Sequence, residues 1–200
     1  HEPVDPSAAH SFIYYATQGF RTLFKTPSVL IALLAFITLA VVYIPIEMVV
    51  LPRYFNGMND PAGLGLLLTA MAGATSLSSL FFEAFAKWFS FSSLFRIALL
   101  GVAIPVLVMS FLPPYWAMLA LGLILGFAWG PLAPLLNTVI QRKVPANERG
   151  RVFSLEMTIW TAGPMISMPL VGALVDAWGV QPVYITLAIL VFIAGVFIST

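Results

Sequence analysis

The sequence predicts an all-α fold: a polytopic membrane bundle of six transmembrane helices, preceded by an amphipathic interfacial helix. Three observations carry that prediction. First, 60% of the 200 residues are hydrophobic, only 8% are charged, and the mean hydropathy is +0.99, whereas about a quarter of the residues of a soluble domain carry charge. Second, the charges leave uncharged runs of 21 residues (Thr26 to Ile46), 22 (Pro61 to Phe82), 45 (Ile97 to Gln141), 19 (Met157 to Val175) and 24 (Ala177 to Thr200). A bilayer core of about 30 Å takes roughly 20 residues of helix to cross, so the longest run counts as two crossings. It divides at Pro113-Pro114, which is followed by the interface-favouring Tyr115-Trp116. Third, the runs are too long and too uniformly apolar for the alternating strands of about ten residues in an outer-membrane barrel.

The elements follow in order. Residues 1–8 are mostly polar and contain two prolines, as a linker would. Phe12, Ile13, Ala16, Phe20, Leu23 and Phe24 then recur at helical spacing with Gln18, Arg21 and Lys25 between them, which predicts a helix lying on the membrane surface and ended by Pro27. Residues 1–26 are accordingly assigned to the end of a cytoplasmic loop, and residues 27–200 to spans at about 28–51, 62–84, 94–112, 115–141, 152–175 and 182–200. With the N-terminus inside, Arg21, Lys25, Lys87, Arg96, Arg142, Lys143, Arg149 and Arg151 are cytoplasmic and Arg53 alone is outside. Eight against one fixes the expected orientation, with both ends of the segment cytoplasmic. Lacking an initiating methionine and ending on an apolar run, the chain reads as a piece of a longer protein.

Composition also removes several chemistries. A net charge of +1 offers no basic surface for nucleic acid. Cysteine is absent, and the two histidines, His1 and His10, precede the first apolar run, so no metal site or histidine-based triad is expected within the membrane. No phosphate-binding loop or hydrolase motif occurs, and neither cofactor nor enzymatic activity is expected. Energy must then come from an ion gradient or from a separate ATPase subunit.

Polar content divides the spans unevenly. The third and sixth are plain apart from Pro105. The first carries Pro45 and Glu47, the second a cluster from Thr69 to Ser79, the fourth Gly122, Gly126 and Gly130 followed by Pro131, Pro134 and Asn137, and the fifth Thr158, Trp160, Thr161 and Gly163-Pro164. Plain spans thus fall third in each group of three, as internal repeats in secondary transporters would place them. Glycines every fourth residue make a smooth stripe that lets another backbone approach. Glu47 is the sharpest candidate for chemistry. A carboxylate at the centre of a membrane helix costs about 2.5–3.5 kcal/mol, less toward the interface, so it should face a cavity or a partner, where it can take up and release a proton. The alternatives are a carboxylate solvated by loop water, or one paired with Arg53. Glu83 with Lys87, and Glu156 with Arg151, read as structural ion pairs, while Asp176 reads as capping a turn closed by Gly179. Trp129 and Trp160 lie mid-span beside proposed breaks at Gly130-Pro131 and Gly163-Pro164, where they would suit a flat hydrophobic substrate, or serve as ordinary packing.

The stretch Tyr43-Ile-Pro45-Ile-Glu47 to Phe55, the run Phe127-Ala-Trp-Gly130-Pro131 through Asn137 to Gln141, and Arg149-Gly150-Arg151-Val152 followed by Ala162-Gly163-Pro164 together resemble the C-terminal half of a major facilitator superfamily drug exporter of the Tap-type multidrug efflux branch. The resemblance implies half of a twelve-helix, proton-driven antiporter of the bacterial inner membrane that exports small hydrophobic drugs and lacks here its N-terminal six-helix half. It also implies a role for Glu47 in proton coupling, with Trp129, Asn137 and Trp160 as candidates for the substrate cavity. Gly122, Gly126, Gly130, Gly163 and Pro164 are assigned to helix packing. One departure stands out: the stretch Phe85 to Ser93 lacks the Gly-x-x-x-Asp-Arg-x-Gly-Arg-Arg pattern of the family's gating loop. The rival readings are a nutrient importer running in symport and a non-transporting membrane subunit; the placement of every Lys and Arg at a membrane edge favours an apolar substrate.

Overall fold

A computed structural model of the chain describes residues 27–199, so the expected amphipathic helix at 12–24 lies outside the described residues. The rest is helical, with no strand among the described residues.

The first span is assembled from α1 (Pro27–Thr38), two successive π-turns (Leu39–Tyr43 and Ile46–Val50) and α2 (Leu51–Gly57). Pro45, between the turns, has no N–H to give to the carbonyl four residues back. On either side the ladder widens: the Ile44 N–H bonds to Leu39 O and the Leu51 N–H to Ile46 O, each five residues back. Each wide turn takes up an extra residue and so swings the following side chains round the axis. This span contributes Leu39, Tyr43, Ile46, Val50 and Phe55 to the core.

Helix α3 (Pro61–Leu80) is the second span. Asp60 caps it, its carboxylate accepting the Gly63 N–H at 2.9 Å, and Pro61 opens the first turn. After Phe81 comes a short helix, α4 (Phe82–Trp88), then α5 (Phe91–Met109), the third span, capped by Ser90 accepting from the Ser93 N–H. The fourth span joins α6 (Tyr115–Trp129) to α7 (Leu132–Lys143) across a break at Gly130-Pro131. The fifth is α8 (Arg149–Trp178) and the sixth α9 (Val180–Ser199). Five of these spans are at least 18 residues long and apolar enough to cross a membrane, among them 30–57 and 115–143; the third is a shorter apolar helix over 93–109.

Three expectations are corrected. Gly163-Pro164 is no break, since α8 runs unbroken through Pro164 and Pro169; in a membrane, packing and local adjustment absorb the carbonyl a proline frees. Among the described residues no ion pair joins Glu83 to Lys87 or Arg151 to Glu156. Exposed pairs gain little for the side-chain freedom they lose, and five residues along a helix is not a facing position. Asp176, finally, meets Arg53, its two oxygens lying 2.5 and 3.5 Å from the guanidinium nitrogens. Gly179 closes α8 with φ 85° and donates to Val175 O without help from that carboxylate.

Neighbouring spans run parallel in two places. Thr75 Oγ1 donates to Gly126 O at 2.9 Å, Ser79 Oγ to Gly130 O at 3.1 Å, and the Tyr115 hydroxyl to Gly63 O at 3.0 Å, at near-constant offsets of 51 or 52 residues. These bonds, inside a low-dielectric bundle, hold the second span along the fourth. The first and fifth spans run together from Phe36 against Trp160 to Arg53 against Asp176. Both members of the latter pair are about half exposed, so Arg53→Ala is expected to cost no more than about 1 kcal/mol in a detergent melt; a larger loss would mean the pair is a structural clasp. On the side of the bundle where α7 ends, Arg149 turns back to donate to Val144 O at 3.0 Å and Gln141 O at 2.6 Å. Its positive charge and donors satisfy the carbonyl end of α7 and fix the turn into α8.

Candidate functional site

The first, second and fourth spans line a half-open cavity of about 260 Å³. Glu47 and Tyr43 reach it from the first span, Met71, Thr75 and Ser76 from the second, and Gly126 and Trp129 from the fourth. Glu47 is half-buried, and its side chain interacts with that of Tyr43 four residues earlier. Arg53 turns away to Asp176, so among the described residues Glu47 is the one charged group on the cavity wall. The second span offers two hydroxyls, each already donating to a carbonyl: Thr75 to Gly126 O and Ser76 to Ala72 O. Their lone pairs remain able to accept.

Trp129 forms the aromatic floor. Its ring lies 4.7 Å from that of Tyr43, tilted by 35°, and 6.2 Å from Trp160, which meets Phe36 edge-on at 5.8 Å. Four rings from three spans thus form a continuous row ending beside Glu47. Trp160 stands in this row behind Trp129 and does not itself line the cavity. Asn137 is farther off, on the exposed face of α7, beyond the Gly130-Pro131 break. Thr75 and Ser76 belong to the polar cluster that the sequence shows from Thr69 to Ser79, while Tyr43 was not singled out as a site residue. Tyr43 could have been, because a residue four before Glu47 shares its helix face.

The glycine stripe gives the cavity its wall. A Cβ on Gly122 would meet Leu67 and Met71, one on Gly126 would fall 2.2 Å from Met71 O, and one on Gly130 would strike Ser78 Oγ and the Thr75 carbonyl. Gly163 brings α8 against Ala40 and Val41 of the first π-turn, with Pro164 buried beside it. Among the described residues no three His, Cys, Asp or Glu side chains gather as a metal site would require. The arrangement can hold an organic molecule of modest size against an aromatic face, with one carboxylate and a few hydroxyls to orient it.

Comparison with known proteins agrees with this architecture. The chain is 31% identical over 180 residues to the multidrug efflux pump Tap of Mycolicibacterium fortuitum, covering 90% of this chain and 44% of that one. It is 31% identical over 160 residues to the multidrug efflux pump Tap of Mycobacterium tuberculosis strain H37Rv, covering 80% and 38%, and 35% identical over 92 residues to the multidrug resistance protein MdtG of Serratia proteamaculans, covering 46% and 22%. The chain therefore spans less than half the length of these curated relatives. No solved structure matches it significantly. The family model of the Major Facilitator Superfamily matches residues 28–200, and with its bundle of apolar helices the chain belongs to that superfamily of multi-pass membrane proteins.

Proposed function

We propose that the chain is the C-terminal six-helix half of a secondary active transporter that exports hydrophobic drugs in exchange for protons by alternating access. It acts as a carrier, without enzymatic chemistry, in the bacterial inner membrane with both ends of the segment cytoplasmic. The observation that carries this reading is the cavity itself: an intramembrane carboxylate, Glu47, on its wall beside an aromatic floor made by Trp129 and Tyr43. A charge kept within a membrane without a basic partner is costly unless it is used. Relatives named as multidrug efflux pumps support the direction of transport. Their greater length supports a second six-helix half, which would close the cavity from the other side. The gathering of Lys87, Arg96, Arg142, Lys143, Arg149 and Arg151 opposite Arg53 supports the orientation.

The test uses inside-out membrane vesicles from cells expressing the full-length transporter that carries this segment. A proton gradient should drive uptake of a planar aromatic dye, and collapsing the gradient should abolish it. Trp129→Ala should raise the apparent KM for the dye by about tenfold, the worth of one good ring contact at about 1–1.5 kcal/mol. Uptake unaffected by collapse of the gradient would overturn proton exchange. An unchanged KM in the variant would remove Trp129 from the substrate site.

A further inference from the structure

The short helix α4 lies between the second and third spans, where the family's gating pattern is missing, and the proposed transport cycle gives it no part. Its sequence, Phe82-Glu-Ala-Phe-Ala-Lys-Trp88, is flanked by Phe81 and Phe89. The Phe85 N–H bonds to Phe81 O and the Phe89 N–H to Phe85 O, so both flanking residues continue its helical turn. At about 100° per residue, Phe81, Phe82, Phe85, Trp88 and Phe89 fall within an arc of about 120°, and Glu83 and Lys87 lie on the opposite side.

Packing accounts for only part of the aromatic face. Phe85 meets Phe127 of the fourth span edge-on at 5.9 Å, which seats the helix against the bundle. Around that contact Trp88 is 85% exposed, Phe81 51% and Phe89 47%, and Leu80, which leads into the helix, is 80% exposed. The patch is continuous through Leu80 and Leu77 with the exposed apolar side of α3, the surface a membrane span presents to lipid. Lys87, on the opposite face, is exposed and forms no ion pair among the described residues.

We infer that α4 is a membrane-interface helix: its aromatic face is sunk into the leaflet on the Arg142–Arg151 side, and Lys87 sits among anionic lipid headgroups. The occupant of the patch is thus the bilayer surface. Trp and Phe rings match the boundary between headgroups and acyl chains, and a lysine directed at the headgroups adds attraction that depends on anionic lipid. This anchor stands where other members of the superfamily carry a charged loop, and it ties the ends of the second and third spans to the membrane plane.

The segment has no cysteine, so single cysteines placed in it can be labelled cleanly in the full-length transporter once any cysteine outside the segment is replaced by serine. Phe81→Cys, Trp88→Cys, Phe89→Cys and Lys87→Cys are each spin-labelled and reconstituted into phosphatidylglycerol/phosphatidylcholine vesicles. Labels at 81, 88 and 89 should be relaxed severalfold more by oxygen than by a water-soluble nickel chelate, with the reverse at 87. Phe89→Cys keeps Trp88, so failure of the Trp88 variant to fold leaves the test intact. Equal exposure of positions 87, 88 and 89 to the chelate would overturn the inference and leave the patch open to a protein partner. Adding Lys87→Glu should raise chelate access at 89 severalfold in the anionic vesicles and leave it unchanged in pure phosphatidylcholine. The same response in both lipids would overturn the role of anionic headgroups.

Discussion

Glu47→Gln is expected to bring gradient-driven export down to background leak while the protein folds and still binds its substrate. The change keeps the shape and most of the hydrogen-bonding capacity of the side chain and removes only its ability to gain and lose a proton. Among the described residues no second carboxylate lines the cavity to take over, since Asp176 is bound to Arg53 outside it. Substrate exchange down its own gradient, which needs no proton, should survive. Glu47→Asp should retain part of the driven flux, because the shorter acid still titrates from the same turn. Normal, proton-dependent efflux in the Gln variant would end the assignment of Glu47.

Gly126→Ala is expected to cost more stability than any other single added methyl group in the bundle. The new Cβ would lie 2.2 Å from the Met71 carbonyl oxygen and 2.9 Å from Met71 Cα, both backbone atoms that no rotamer change can move aside. The second and fourth spans must separate, straining the Thr75–Gly126 hydrogen bond between them. Overpacking of this kind costs about 1–3 kcal/mol, with the upper end expected here. At about 2–4 °C per kcal/mol, a drop of roughly 6–12 °C should appear in a detergent melt. Gly73→Ala is the internal control, since its Cβ would find nothing within 4 Å. Equal melting of the two variants would show that the glycine stripe is not what sets the helix separation.

Crossing the membrane was the most legible property of the chain, because lipid leaves a backbone no alternative to helix and forces long apolar runs with charged ends. What stayed hidden depended on direction and distance. Pro45 was visible as a disturbance, yet the sequence does not say how the ladder closes around it, and the two π-turns decide which way Tyr43 and Glu47 point. The same uncertainty let Gly163-Pro164 look like a break equal to Gly130-Pro131; only the second interrupts its helix. Arg53 was weighed against Glu47, six positions away, when its carboxylate lay 123 residues along the chain. Asn137 shares a span with Trp129 in the sequence, but eight residues and a helix break carry it to another face. Each of these cases turns on which neighbour a side chain meets, and hydropathy is silent on that.

The two widened turns of the first span give its backbone slack next to its only acid. An uninterrupted helix bends only by giving up several ladder bonds together, whereas a stretch already paired five residues apart can trade one carbonyl for the next. If Glu47 carries the proton as proposed, its change of charge falls where the chain is easiest to reshape. The proposed sensor and its joint then occupy one short segment, and no lever arm is needed to connect them.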